Sequence, residues 1–223
     1  LYFEEYHELF WIEFMKDNIV LKNELANSIT HGLGVLFSMV GIALLMPLAV
    51  QKGAGVYLFS CAIYGASLLL LYSSSTTYHS IQHPEVKHIL RLLDHISIYI
   101  LIAGTYTPFL LLCIKGTMGW VAFALIWLIA LGGGIYKIMS KDKNSKVSLA
   151  LYIGMGWMII LLIKPFWETV PLPSIILVAI GGLSYTLGTY FYTKPHKLYY
   201  HAIWHVFVLV GSITHFLAVV NLF

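Results

Sequence analysis

The chain has 223 residues, of which 59% are hydrophobic and 10% charged, with a formal net charge of +3. Soluble domains carry roughly 25% charged residues, so this composition excludes an ordinary soluble surface and points to lipid, where outward side chains can be apolar. The small charge, with no basic run interleaved with aromatics, argues against a nucleic-acid partner.

Residues 1–23 read as an N-terminal segment and 24–223 as a membrane domain. The first fourteen residues, LYFEEYHELFWIEF, are acidic and aromatic and precede Met15. A signal peptide has a basic start and an apolar middle. This stretch is instead a tag-cleavage remnant ahead of a natural start at Met15, or a short amphipathic helix on the membrane surface. Seven apolar stretches follow, near 26–50, 54–80, 89–113, 117–138, 147–165, 173–193 and 198–222. Each matches the roughly 20 residues a helix needs to cross hydrocarbon. Gln51-Lys52-Gly53, His83-Pro84-Glu85, Lys115-Gly116, the polar run SKDKNSK at 140–146, Pro165, Pro171 and Pro173, and Lys194-Pro195 punctuate them. The runs are too long for strands and do not alternate. The expected fold is an all-α, integral-membrane bundle of seven transmembrane helices. Cys61 and Cys113 lie in or beside apolar stretches and read as buried free thiols. The glycines at 132–134 and at 154 and 156 suit close helix packing.

Charge orients the bundle. With seven crossings, the N-terminus and the second, fourth and sixth loops share a side. That side holds Lys16, Lys22, Lys87, Arg91, Lys137, Lys141, Lys143, Lys146, Lys194 and Lys197, and the other holds Lys52, Lys115 and Lys164, a ten-to-three split of the 13 basic residues. The positive-inside rule then puts the N-terminus in the cytoplasm and the C-terminus outside. The expected location is the cell membrane, crossed several times.

Ionisable residues within a membrane are costly and ask for a reason. Glu24, Asn27 and His31 open the first helix, Ser75, His79 and His83 close the second, Asp94 and His95 lie just inside the third, and His201 and His205 open the seventh. Because the helices alternate in direction, all of these fall at the cytoplasmic end. In HAIWH, the i, i+4 spacing of His201 and His205 puts both rings on one helix face, where they can take two corners of a tetrahedral zinc site. His79 supplies a third imidazole, with Ser75 one turn before it. Asp94 can orient a ligand or a water. Three nitrogens with an open fourth position form the arrangement of a catalytic zinc. The remaining histidines have plainer readings. His83, His88 and His196 are loop residues, His95 a packing or lipid-interface residue, and His215 a buried, hydrogen-bonded packing residue. Glu24, Asn27 and His31 share one face and fit helix-start chemistry.

ELANSITHG at 24–32, SxxxH at 75–79, LLDHISIYILIAGTYTPF at 92–109 and HAIWHVFVLVGSITHF at 201–216 together resemble bacterial haemolysin III proteins of the progestin and adipoQ receptor family. That family sits within a superfamily that includes alkaline ceramidases. The ordered set of motifs covers the chain from about Glu24 to Asn221. The resemblance implies seven helices with a cytoplasmic N-terminus. It also implies a Zn2+ ion held by His79, His201 and His205, with Asp94 reaching the metal through water and Ser75 as the serine of the second-helix motif. Three functions stay open: a zinc-dependent hydrolase of lipid amides or esters with catalytic residues Asp94 and Ser75, a receptor-like or membrane-homeostasis protein with structural zinc, and a haemolysin-like pore. The partners expected are membrane lipids and a lipid substrate, and no oligomeric state is implied.

Overall fold

The computed structural model describes residues 2–53, 55–140 and 145–223, with the side chains of residues 2–17 and 145 outside the description. Residues 141–144, most of the expected polar loop, and the side chains behind the two readings of residues 1–14 therefore lie outside the described residues. The elements are α1 (Tyr2–Gln51), α2 (Val56–Ser80), α3 (Pro84–Pro108), a π-helical turn (Phe109–Ile114), α4 (Gly116–Met139), α5 (Ser145–Gly156), a 3-10 turn (Met158–Leu162), α6 (Ile163–Thr169), α7 (Leu172–Tyr192) and α8 (Tyr200–Val220). There is no strand among the described residues. Seven helical runs are long and apolar enough to cross a membrane: Asn18–Gln51, Val56–Ser80, Pro84–Ile114, Gly116–Met139, Lys146–Thr169, Leu172–Tyr192 and Tyr200–Val220. The expected seven-helix architecture is thus what the chain adopts.

Two helix boundaries bear on the site. α3 starts at Pro84, ahead of the apolar stretch, because proline suits the first helical position and Glu85 in the first turn complements the helix dipole. His88, expected in a loop, is therefore on α3, where it is exposed, while His83 precedes the helix and is exposed as expected. Between α3 and α4 the chain reverses through Lys115 and Gly116, both at φ 56. The Lys115 amide closes the preceding π-turn onto the Leu110 carbonyl at 3.0 Å.

The fifth span is broken. Between α5 and α6 the backbone tightens into the 3-10 turn, which would strand polar groups in hydrocarbon. Tyr106 on α3 prevents this. Its hydroxyl donates toward the carbonyls of Gly156 (2.8 Å) and Met155 (3.1 Å) and accepts from the Ile159 amide (2.9 Å). Tyr106→Phe removes these bonds while keeping the ring. It should lower stability in detergent by about 1–3 kcal/mol, the cost of leaving buried polar groups unpaired. A melting temperature equal to wild type would show that the break satisfies itself.

α1 packs against both α2 and α8, α2 against α3, α3 against α4, and α7 against α8. The core joins Leu45, Tyr64, Leu68, Tyr72, Leu101, Phe109, Val208 and Phe216. Large apolar side chains such as Leu36, Leu128 and Leu187 point outward, as lipid-facing residues do. Of the glycines expected to allow close packing, Gly133 does so: a Cβ there would lie 2.4 Å from the Tyr99 ring. Gly154 and Gly156 do not, since nothing lies within 4 Å of a Cβ at either. The space a side chain would occupy there is open, and Gly156 lines a cavity. Cys61 is buried and Cys113 half-buried, both free thiols. Lys137, expected among the loop charges, is buried at the end of α4 and donates to Ser148 Oγ on α5 at 3.3 Å.

Candidate metal centre

The last turns of α2 bring in Ser75 and His79, α3 brings Asp94, and the first turns of α8 bring His201 and His205. α1 lies across both α2 and α8, so its residues at spacings of 3 and 4 fall in the groove between the two. The ligand atoms of His79, His201 and His205 all lie within 4.8 Å of one another. The ring centroids are 4.6 Å apart for His201 and His205, 5.1 Å for His79 and His205, and 5.2 Å for His79 and His201. This group could hold a metal ion.

Hydrogen bonds decide which nitrogens are available. His79 Nδ1 is 2.6 Å from Glu24 Oε2 and 3.4 Å from the Asn27 amide. The carboxylate is the nearer and stronger acceptor, so Nδ1 carries the proton and Nε2 keeps a lone pair. That Nε2 is buried and has no hydrogen-bond partner among the described residues. His205 repeats the arrangement: its Nδ1 donates to the Asn27 carbonyl at 3.1 Å, with Thr30 Oγ1 at 3.2 Å. Both rings thus present Nε2 as a ligand, with the other nitrogen held by an acceptor, the usual pattern around bound metals. Glu24 is itself held, its Oε1 accepting from Lys87 Nζ at 2.9 Å. Lys87 also reaches the Gln82 side chain at 2.9 Å. The donor set and the unpartnered Nε2 fit a metal of zinc's ligand preference.

These contacts correct the reading of the first helix. α1 is continuous through 24–31, so Glu24 and Asn27 occupy no helix start. They serve the histidines of two other helices. Their spacing was the signal, and the missing information was which helices would lie beside them. His31, on the same face, is buried and stacked on His205 with ring centroids 3.5 Å apart and 12° between planes. Neither of its ring nitrogens has a partner among the described residues.

Ser75 and Asp94 are both buried, and Ser75 Oγ has no partner among the described residues. Both line a partly open cavity that begins beside His31 and His205 and runs between α2, α3, α5, α7 and α8. Its walls are largely apolar, from Leu71, Ile98, Leu101, Leu149, Ile153 and Val208. Trp157 Nε1 donates to Thr186 Oγ1 at 3.1 Å across the α5–α7 side. Of the other histidines, His196 is exposed, and His95 is half-buried with its carbonyl accepting from Tyr152 at 2.9 Å. His215 is hydrogen-bonded through Nε2 to the Val178 carbonyl at 3.1 Å, as a packing residue would be. Polar side chains also lie deeper in the bundle. Tyr72, Ser212 and Tyr185 form a hydrogen-bonded chain that carries polarity deeper between α2, α7 and α8.

Residues 19–216 match a family model described as haemolysin-III related. The chain belongs to the haemolysin III family. It is 44% identical over 199 residues to the hemolysin-3 homolog of Bacillus subtilis, covering 89% of this chain and 93% of that protein. It is 43% identical to hemolysin-3 of Bacillus cereus, covering 89% and 91%. It is also 32% identical over 200 residues to the human monocyte to macrophage differentiation factor, covering 87% and 82%. The resemblance read from the motifs is therefore borne out. The haemolysin III match spans all the residues described at the centre, from Glu24 on α1 to His215 on α8.

Proposed function

We propose that this haemolysin III protein is a zinc-dependent hydrolase that cleaves an amide or ester bond of a membrane lipid at the cytoplasmic boundary. The observation that carries the reading is that one of three clustered imidazoles, His205, also lines a largely apolar cavity, together with the buried Ser75 and Asp94. His79, His201 and His205 would hold the ion and leave its fourth position open. Zinc bound there would polarise a carbonyl and bring the pKa of water to about 7.

The chain's own groups do the rest. Asp94, buried on the cavity wall, takes the proton of an attacking water on its carboxylate and returns it to the leaving amine or alcohol. Ser75 Oγ donates to the carbonyl oxygen as that oxygen gains charge. Glu24, through His79 Nδ1, fixes the tautomer and aim of that ring. The apolar walls take up the acyl chain and keep bulk water from the scissile bond.

The test is fatty-acid release by purified, zinc-loaded protein from a panel of ceramides, phospholipids and acyl-amides. Release from at least one class is expected. Full zinc occupancy without release from any of them would overturn the hydrolase reading in favour of a metal that only ties α2 to α8. The same proposal places the N-terminus in the cytoplasm of a bacterial cell, on the ten-to-three charge split. With Cys61 and Cys113 replaced by alanine, a cysteine at Ser140 should react only from the cytoplasmic side, and one at Phe223 only from outside. The reverse pattern would move the site to the other face of the membrane.

A further inference from the structure

The far end of the cavity holds polar atoms that the metal centre does not use. His215 lines it about 15 Å along α8 from His205, at the helical rise of 1.5 Å per residue. Its Nε2 lies 3.1 Å from the Val178 carbonyl, which can only accept, so Nε2 carries the ring proton. In the neutral ring Nδ1 is then purely an acceptor. It is buried and has no partner among the described residues. Its direction follows from Gly181 on α7, where a Cβ would lie 2.4 Å from His215 Cδ2 and 2.5 Å from Nε2. That edge of the ring faces α7, and Nδ1 is the opposite vertex, pointing away from α7.

A donor sits on the neighbouring ring. Tyr185 lines the same cavity, its ring centroid 5.4 Å from that of His215. Tyr72 donates to Ser212 Oγ at 2.7 Å, and Ser212 Oγ is 2.9 Å from the Tyr185 hydroxyl. Ser212 has one proton. When it passes that proton to Tyr185, the Tyr185 O–H is left to donate. An acceptor and a donor on neighbouring rings that line one largely apolar cavity match a hydroxyl, which does both. A carbonyl cannot donate to Nδ1, and a methylene does neither.

We propose that this end of the cavity is a subsite for a hydroxyl carried part-way along an acyl chain whose head lies at the metal centre. The proposal rests on the reading that an acyl chain occupies the cavity. The helical spacing sets the hydroxyl about a dozen carbons from the head. The ligand class is therefore the mid-chain hydroxylated fatty acyl group.

The experiment measures binding of stearate, 2-hydroxystearate and 12-hydroxystearate to the full chain in detergent, by displacement of a fluorescent fatty acid. 12-Hydroxystearate should bind about five- to tenfold tighter than stearate, as one net hydrogen bond allows. 2-Hydroxystearate, with its hydroxyl at the wrong depth, should show no such gain. His215→Gln keeps an N–H for the Val178 carbonyl and deletes the Nδ1 acceptor, so the ratio of the two affinities should fall toward one. Equal wild-type affinities for stearate and 12-hydroxystearate would overturn the subsite while leaving chain binding intact. A ratio that persists in His215→Gln would remove His215 from the subsite. Failure of every fatty acid to bind would overturn the acyl-chain reading and the subsite with it. Should His215→Gln not fold, the wild-type comparison decides alone.

Discussion

Purified protein should carry one zinc ion per chain by elemental analysis, and alanine at His79, His201 and His205 together should abolish it. The three candidate ligand atoms lie within 4.8 Å of one another, and among the described residues no carboxylate joins the group, so each histidine would supply a corner that nothing else in the group replaces. His201→Ala or His205→Ala alone should remove most of the metal, since two remaining protein ligands hold zinc poorly. Glu24→Gln keeps the side-chain shape but weakens the 2.6 Å bond to His79, and should lower zinc affinity about 10–100-fold. Asp94→Ala should fall in that same range. Chelation should also lower the melting temperature, because a ligand bound only by the folded state stabilises it. Full zinc retention in the triple variant would sink the assignment.

Asp94→Asn should lower lipid cleavage by roughly 10²–10⁴-fold, the usual share of acid–base catalysis, while leaving folding near normal and much of the zinc in place. Asparagine keeps the volume and a hydrogen-bonding group but cannot take a proton at this position. Asp94 is buried on the cavity wall that it shares with Ser75 and His205, so bulk solvent is poorly placed to substitute as base. Ser75→Ala should cost less, on the order of tenfold, since it removes one donor to the carbonyl oxygen among several stabilising groups. Measured together, zinc content and fatty-acid release separate two outcomes. Loss of release with zinc retained supports Asp94 as the base. Equal release by Asp94→Asn and wild type would remove Asp94 from the chemistry.

The bundle was legible because membrane spans are written in long apolar runs, and the seven runs recur as seven helices. The three histidines were legible for a related reason: two stand at i, i+4, and helix direction alone brings the third to their depth. What escaped the sequence was lateral. Which helix lies beside which is decided by side-chain packing across the whole bundle, and no local pattern encodes that α1 bridges α2 and α8. Glu24 and Asn27 therefore looked like helix-start residues, and their bonds to His79 and His205 came only from the structure. The break in the fifth span was equally hidden. The residues at the break, Trp157 to Ile163, are all apolar, and the residue that satisfies the broken backbone, Tyr106, belongs to another helix.

The ties made by α1 have a consequence for how the chain is built into the membrane. The amide of Tyr199 bonds to Asn23 Oδ1 at 2.8 Å, and His205 bonds to the Asn27 carbonyl at 3.1 Å, so the first span to be synthesised is completed by the last. Until α8 arrives, the polar face of α1 must wait in or near hydrocarbon without its final partners, a costly condition. A ribosome stalled before residue 200 would leave that face open to the insertion machinery and to membrane proteases. Newly made chains should therefore pass from protease-sensitive to protease-resistant in a single late step, coincident with insertion of the seventh span.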